Sequence, residues 1–476
     1  MKVETGFYAT VAQARRASRI VIVGASLAGL RAAESLRAGG FSGSLTIIGE
    51  EPHPPYDRPP LSKAVLLGLS APEHTELPGD SEVDARWILG TRATGLDLDA
   101  NRIRLDGGGE IEFDQALLAT GVRARPWPNP EEAALDGVFV LRTRDHAARL
   151  ARSLAARPNR VLVIGGGFTG SEIASVCREL DLPVTVTERG PAPLVGALGG
   201  MLGGIAARLQ RDHGVDLRTE TSVTRLDGDG DGRVVRAHFT RGDPLEVDLV
   251  VVALGAVRNT EWLADSGIAA GPRGIACDTG CRVFDINGLI TDHIFTAGDV
   301  ARAPNPLYDY QMIALEHWGN AVGQAEVAAH NMLHAGRVRR AHLEVPAFWS
   351  SQFGVNIKSV GIPTFADQVA VTQGSLNQNR FVATYGHRGR VTAAVSFDQG
   401  KWMDFYRGLI ESAAAFPPEF SVLDPPESTE IHPVRWRDPA TLSHGPTVCV
   451  TGYFPDERTM SVIEGPRASA GHHWPS

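Results

Sequence analysis

Cysteine is scarce in this chain: Cys177, Cys277, Cys281 and Cys449 are all there is in 476 residues. Four scattered thiols cannot staple a chain of this length, which excludes a disulfide scaffold and agrees with a reducing compartment. Long apolar runs are missing as well. No stretch approaches the roughly 18 residues that a membrane-spanning helix requires, so no membrane association is expected. Positive charge has no excess, since 46 Lys and Arg against 55 Asp and Glu leave a net charge of -9. That balance argues against a nucleic-acid protein, which needs clustered cations to replace counterions on phosphate. The opening MKVETGFYATVAQARRAS has no apolar signal core and reads as a short polar lead, so the expected location is cytoplasmic. What the chain does have is length: at roughly 100–200 residues per domain it should hold two or three domains. A hydrophobic share of 43% and a charged share of 21% are ordinary for a globular protein.

Two segments share one pattern. Residues 19–30, RIVIVGASLAGL, run as a β-branched apolar strand to Gly24 and resume as the helix-like LRAAESLRAG. A strand, tight turn and helix in this order offer free N–H groups and the positive end of the helix dipole to a pyrophosphate. Gly24 permits the bend, and Gly29 lets helix and strand pack closely. Ser26 replaces the middle glycine of G-x-G-x-x-G, and its hydroxyl can itself donate to a phosphate. A second strand, LTIIG at 45–49, ends at Glu50 and Glu51, and one of these acids is expected to receive ribose hydroxyls.

The pattern returns in full at 160–180, RVLVIGGGFTGSEIASVCREL, with Gly165, Gly167 and Gly170. VTVTERG follows and places Glu188 at the end of the next strand, 18 residues beyond Gly170. A carboxylate there accepts the 2′-OH of NAD and repels the 2′-phosphate of NADP, so NADH is expected over NADPH. Arg189 pulls the other way, because a guanidinium at that edge binds a 2′-phosphate or stacks on adenine. Two dinucleotide motifs suggest one tightly held flavin dinucleotide and one exchanging nicotinamide, whose rings must meet for hydride transfer.

With these motifs the sequence resembles the two-dinucleotide-binding-domain flavoproteins, and within them the ferredoxin reductases that serve cytochrome P450 and aromatic-ring dioxygenase systems. The resemblance spans about residues 19–410, and its most specific piece is EEPHPPYDRPPLSK at 50–63. It implies that Arg58 belongs to the flavin site and that Lys63 stands at the flavin N5 side, where a cation stabilises electron density arriving with the hydride. Pro54, Pro55, Pro59 and Pro60 stiffen the lead to that lysine. FDQALLATGVRARP at 113–126 is similar to the strand and turn that close the FAD domain, with Thr120 and Gly121 at the turn and Arg125 available to the flavin phosphates. LVVVALGAVRNTEWL at 249–263 is similar to the family's exit from the NAD domain, which implies that Gly255 faces the nicotinamide; Arg258 stands where the family often has proline. HIFTAGDVA at 293–301 resembles the second FAD fingerprint, in which Asp299 holds the ribityl chain.

The likeness continues in ALEHWGNAVGQAEVAAHNML at 314–333, which implies a flavin-site helix whose start, marked by Glu316, His317 and Trp318, points at the N1–O2 edge. VPAFWSSQFGVNIKSVG at 345–361 resembles the opening of a reductase C-terminal domain and implies that Trp349 lies by the isoalloxazine on the nicotinamide side. The alternative for Trp349 is ordinary core packing. Glu172 matches a family position that bonds the nicotinamide carboxamide or pairs with the flavin lysine; a first-turn glutamate complementing the helix dipole is the plainer alternative. Lys63, Glu172 and Trp349 are thus the expected catalytic groups.

Disulfide reductases of this architecture carry a C-x-x-x-x-C pair after the first glycine motif, where a thiolate relays electrons. No cysteine lies between residues 24 and 120, so electrons are expected to pass from the flavin edge to an external acceptor. Cys277 and Cys281, in CDTGC, lack a second ligand pair and read as structural. LDGDGDGRVVRAH at 226–238 imitates a calcium loop through Asp227, Asp229, Asp231 and Gly232, yet His238 takes the place of the bidentate Glu. It reads as a hairpin turn, and no metal is expected.

The expected fold is α/β: two Rossmann-like dinucleotide-binding domains (FAD and NAD) plus an α+β C-terminal domain. The FAD domain is expected at 19–127 and 256–335, the inserted NAD domain at 128–255, and the reductase-type C-terminal domain at 336–476, Pro-rich after Phe416. The expected function is NADH-dependent reduction of FAD and electron transfer to an iron–sulfur ferredoxin, which serves a P450 or ring-hydroxylating oxygenase, by a monomer or homodimer. Direct reduction of a small-molecule acceptor and a redox-sensing interaction flavoprotein are the alternatives. An acidic ferredoxin would need a basic rim on this acidic chain.

Overall fold

The computed structural model describes residues 18–77, 83–334 and 338–418, and the backbone of strands Thr447–Thr451 and Thr459–Ile463. The polar lead and most of the Pro-rich tail lie outside the described residues. The chain gathers into two compact units. Among the described residues, one comprises those up to Pro60, within Ser70–Ala124 and within Ala256–Pro346; the other comprises Leu61–Leu69, Arg125–Gly255 and those from Ala347 on.

The first unit is built on a six-stranded sheet in the order Arg282–Phe284, Ile290–Thr296, Gln115–Leu118, Arg19–Val23, Ser44–Gly49, Arg86–Leu89. Only its outermost pair, Arg282–Phe284 with Ile290–Thr296, is antiparallel. A sheet covered on both faces needs apolar residues at every position, and the strands supply them. Ile20, Ile22, Leu45, Ile47, Leu117 and Phe295 enter one core with helices Leu27–Ala38 and Trp318–Leu333. Alternate residues Val21, Val23, Ile48, Leu118 and Ile294 enter a second core, closed by Leu96 and Ile103 of the antiparallel strands Ala93–Asp97 and Arg102–Leu105. Alanines carry much of the helical side of the first core: Ala32 and Ala33 from one helix, Ala325, Ala328 and Ala329 from the other.

The second unit repeats the plan with five parallel strands in the order Asp216–Arg218, Val184–Thr187, Val161–Ile164, Leu249–Val252, Val138–Val140. Val161 and Val163 pack with Ile173, Ala174, Val176 and Cys177 of helix Phe168–Glu179. Leu162 and Ile164 face the antiparallel strands Val223–Gly228 and Val234–Phe239. The calcium-loop imitation lies between those two strands as the expected hairpin, its turn held by Asp229 Oδ1 accepting the N–H groups of Asp231 and Arg233.

The rest of this unit is a seven-stranded sheet in the order Ala347–Gln352, Val355–Gly361, Arg390–Phe397, Arg380–His387, Gln368–Ser375, Thr447–Thr451, Thr459–Ile463. Ile357, Phe381, Val395 and Val369 merge its inner face with the core of the parallel sheet. Helix Met403–Glu411 contributes Met403, Tyr406 and Ile410 as buried side chains. The two tail strands extend the edge at Gln368–Ser375, Thr447–Thr451 running parallel to it. Among the described residues no helix is long and apolar enough to cross a membrane.

Candidate active site

In each parallel sheet the strand entering the glycine turn is flanked on both sides by parallel strands, the reversal point where open α/β sheets form their ligand crevice. Gly24 has φ +125° and donates its N–H to the Ile48 carbonyl at 2.8 Å. Gly165 does the same at φ +111°, donating to the Thr187 carbonyl at 2.8 Å. A side chain at either would strike backbone, the Ala119 carbonyl for Gly24 and the Ala253 carbonyl for Gly165. Gly29 and Gly170 stand directly against the carbonyls of Gly24 and Gly165, so both are packing glycines.

The middle position behaves differently. Around Gly167 nothing lies within 4 Å of where a Cβ would stand. Packing therefore gives no reason for glycine there, whereas close approach of a bound phosphate does. Helices Leu27–Ala38 and Phe168–Glu179 begin at Ser26 and Gly167 with no side-chain cap and no acid in the first turn. Each uncapped end keeps donors for an anion. The residues present thus fit one dinucleotide in each unit.

Around the first turn the structure gathers a charged cluster. Glu51 accepts from Tyr56 Oη at 2.5 Å and from Arg58 Nη2 at 2.6 Å, and Arg58 also reaches Ser26 Oγ at 3.4 Å. Burial works to raise the Glu51 carboxyl, but the charge and hydrogen bonds of Arg58, with the Tyr56 bond, hold it below the ordinary carboxylate range. Burial works to lower Arg58, and the charge and hydrogen bond of Glu51, helped more weakly by Asp299, leave it raised. Glu50 is exposed and paired with Arg92 at 2.5 Å. Trp318 opens its helix and donates Nε1–H to Asp57 Oδ1 at 3.1 Å, while burial raises Asp57. His317 caps that helix, its Nδ1 accepting from Gly319 N–H at 3.2 Å, and burial pushes it down to about 4 against the pull of Asp299. Thr120 and Asn259 exchange side-chain-to-carbonyl bonds, both 2.8 Å, which closes the turn ahead of Gly121. Gly121 has open space where a side chain would stand.

In the second unit Glu188 ties the strand end to the glycine loop. Its Oε2 accepts from Gly166 N–H at 2.9 Å and its Oε1 from Gly190 N–H at 2.6 Å. Gly255 has open space beside it, its carbonyl accepts the Arg125 N–H at 2.9 Å, and the Arg125 side chain is exposed. Arg258, in the first unit, pairs with Glu316 at 3.2 Å.

Lys63 and Glu172 come together, Nζ to Oε2 at 2.7 Å. Glu172 lies in the second turn of Phe168–Glu179 rather than the first, so the dipole alternative does not describe it. Two residues that sequence reasoning passed over complete the group: Ser62 Oγ donates to Glu172 Oε2 at 2.5 Å and Ser350 Oγ to Oε1 at 2.6 Å. Residues 62, 172 and 350 are too far apart in sequence for any spacing rule to join them. Ser350 points inward from strand Ala347–Gln352, and its neighbour Trp349 points outward, 43% exposed, which excludes core packing. Opposite Trp349 stands the exposed Lys358. A Cβ at Gly400 would lie 3.3 Å from the Lys358 Nζ, and Lys401 next to it sits 5.5 Å from the Trp402 ring centroid. Phe405 is exposed nearby in sequence, 41% accessible. Cys277 and Cys281 are fully buried, and burial raises both thiols.

The family model described as pyridine nucleotide-disulphide oxidoreductase matches residues 18–325, and the reductase C-terminal model matches 347–429. The chain is similar to the ferredoxin–NAD(+) reductase component of an anthranilate 1,2-dioxygenase system from Burkholderia cepacia, 35% identical over 413 residues, covering 86% of this chain and 98% of the relative. It is similar to rhodocoxin reductase of Rhodococcus erythropolis, 38% identical over 367 residues, covering 76% and 82%. Among solved structures, the covalent putidaredoxin reductase–putidaredoxin complex matches with a TM-score of 0.77 and 30% identity, covering 83% of this chain and 93% of that one.

Proposed function

Because the chain belongs to the pyridine nucleotide-disulphide oxidoreductase family, in its ferredoxin reductase branch, we propose that it oxidises NADH through a bound FAD and delivers electrons to an iron–sulfur ferredoxin of an oxygenase system. When bound, FAD supplies the step from two-electron to one-electron chemistry. The chain's own residues bind and orient. Gly24, Ser26, Gly29 and Arg58 hold the flavin pyrophosphate at the first turn, with Arg125, and Asp299 takes the ribityl chain. We assign the adenosine ribose to Glu50, because it stands open at the strand end, paired with the exposed Arg92, whereas Glu51 is half-buried between Tyr56 and Arg58. Gly165, Gly167 and Gly170 receive the nicotinamide dinucleotide, and Glu188 its ribose. Each Glu188 oxygen has a second lone pair beyond its backbone donor, so the acid can serve loop and ligand together. Lys63 is the cation we place at the flavin N5 side, with Glu172 as its partner, and Trp349 lies on the electron route. The FAD domain is read as 19–127 with 256–335, the NAD domain as 128–255, and the C-terminal domain from 336.

The acceptor is carried by one observation: exposed Trp349 stands opposite exposed Lys358 across two strands, which puts an aromatic and a cation on one sheet face of a chain of net charge -9. Such a face attracts an acidic partner that the whole-molecule charge would repel. The absence of cysteine between residues 24 and 120 removes the thiol relay and leaves the flavin edge as the exit. The buried state of Cys177, Cys277 and Cys281, all unpaired, suits a reducing cytoplasm. The test compares cytochrome c reduction by the purified holoenzyme and NADH with and without candidate ferredoxins. Strong stimulation by a ferredoxin is expected, weakened by salt and by Lys358→Glu. Rapid turnover with a quinone or oxygen and no stimulation by any iron–sulfur protein would sink the proposal.

A further inference from the structure

The group around Glu172 has a donor arrangement that can be solved by counting. A serine hydroxyl owns one proton, a lysine ammonium only donates, and an ionised carboxylate only accepts. Lys63 Nζ donates to Ser62 Oγ at 3.4 Å as well as to Glu172, and the amide Nε2 of Gln352 donates to Ser350 Oγ at 3.2 Å. Both serine oxygens are therefore acceptors on their far side, and both protons point at Glu172, one to each oxygen. Glu172, whose side chain is 8% exposed, thus receives two hydroxyls and one ammonium. The strand that carries Ser350 is clamped to the helix that carries Glu172 by a second bond, Phe353 N–H to Ser175 Oγ at 2.7 Å. Residues 172 and 175 lie on one helical face, so strand and helix are pinned at two successive points.

From this we infer that Ser62 and Ser350 are positioning residues of the reductase: by holding both oxygens of Glu172 they fix where the Lys63 ammonium sits and how much of its charge is left to act on the flavin. The inference rests on the reading of Lys63 as the cation at the N5 side. Two hydroxyl donors draw part of the Glu172 charge toward themselves, and their removal leaves a more concentrated anion beside Lys63. The field of the lysine is then more fully cancelled, and the two-electron-reduced flavin loses stabilisation. Ser350 matters beyond its own bond, because it is supplied by the strand that also presents Trp349 outward.

The test uses the FAD-loaded full chain and two readouts, the midpoint potential of the bound flavin and the stopped-flow rate of its reduction by NADH. Ser350→Ala is expected to lower the two-electron equilibrium about tenfold, which is a drop of about 30 mV, and to slow reduction by about the same factor. Ser62→Ala should act in the same direction, and Ser350→Thr, which keeps the hydroxyl, should restore both values. The deciding comparison is a cycle with Lys63→Met, in which Ser350→Ala should change neither readout by more than about twofold, because coupled residues are not additive. If Ser350→Ala has the same effect with and without Lys63, or no effect on the wild-type potential, the serines merely satisfy a buried acid and the inference is overturned. If Lys63→Met itself leaves potential and rate at wild-type values, the reading of Lys63 fails, and the inference falls with it for a different and visible reason.

Discussion

Glu188→Gln is the most informative single substitution, because two distinct jobs of this carboxylate separate in one experiment. The amide keeps one acceptor oxygen and presents an NH₂ in place of the other, so either the Gly166 or the Gly190 N–H loses its partner. An unmet, partly buried N–H costs about 1–3 kcal/mol, so a modest fall in thermal stability is expected whatever the ligand. Selectivity responds to charge. Two unit charges about 4 Å apart interact by about 4 kcal/mol at an effective dielectric of 20, and exposure at the cofactor edge reduces this. Loss of half of that repulsion toward a 2′-phosphate would shift the NADH to NADPH ratio of kcat/KM by about tenfold to hundredfold in favour of NADPH. Steady-state reduction of ferricyanide with each nucleotide measures the ratio, and a melting curve measures the loop. A lowered Tm with an unchanged ratio would refute the assignment and leave Glu188 a loop tie only.

Three further outcomes follow from the geometry. Gly24→Ala forces a Cβ onto the Ala119 carbonyl at a backbone φ of +125°, so the purified variant should retain little flavin; a wild-type flavin-to-protein absorbance ratio would contradict this. His317 and His342 are both pushed by burial to about 4 from 6.5, so unfolding takes up protons between those values and stability should fall as pH drops from about 6.5 to 4. Glu51 has the opposite sign of chemistry and the same direction of effect: its folded carboxyl is lowered, so its contribution is present above the ordinary pKa of 4.5 and lost as pH falls through the folded value. Chemical denaturation across pH 4–7 checks the slope, which His342→Asn should flatten. Finally, burial raises Cys177 to about 12 and raises Cys277 and Cys281, so none of the three should react with iodoacetamide at pH 8 unless the protein is unfolded, as peptide mass spectrometry will report.

Much of this is legible in the sequence. Both glycine turns announce themselves because a strand, a forced positive φ and a helix N-terminus leave a local trace in residue type, and Gly24, Gly165, Gly29 and Gly170 stand where that trace requires. The strands ending at Gly49 and Thr187 were legible from β-branched runs. What stayed hidden depends on long-range meeting. Two adjacent glutamates, Glu50 and Glu51, look alike in sequence and differ only because Tyr56 and Arg58 fold back on one of them. Glu172 reads in sequence equally as a partner of Lys63 and as a first-turn acid, and the arrival of Lys63 and Ser350 from 109 residues before and 178 after is what shows the pairing. Trp349 is ambiguous in any one-dimensional reading, since alternation along a strand says which residues share a face but not which face is buried.

The strand order of the six-stranded sheet also sets a timetable for biosynthesis. Strand Gln115–Leu118 finds its outer neighbour in Ile290–Thr296, and its register with Arg19–Val23 is only half of its hydrogen bonding until then. More than half of the polypeptide must be made before that pairing can form, and a contact between residues so far apart closes late. Asp299, Trp318 and the helix that follows are later still along the chain. The nascent protein therefore emerges with an incomplete sheet and without the later residues that we assign to the flavin site. FAD supply and temperature during expression should then govern yield more than any single side chain does, since a ligand that binds only the completed sheet draws the last step to completion.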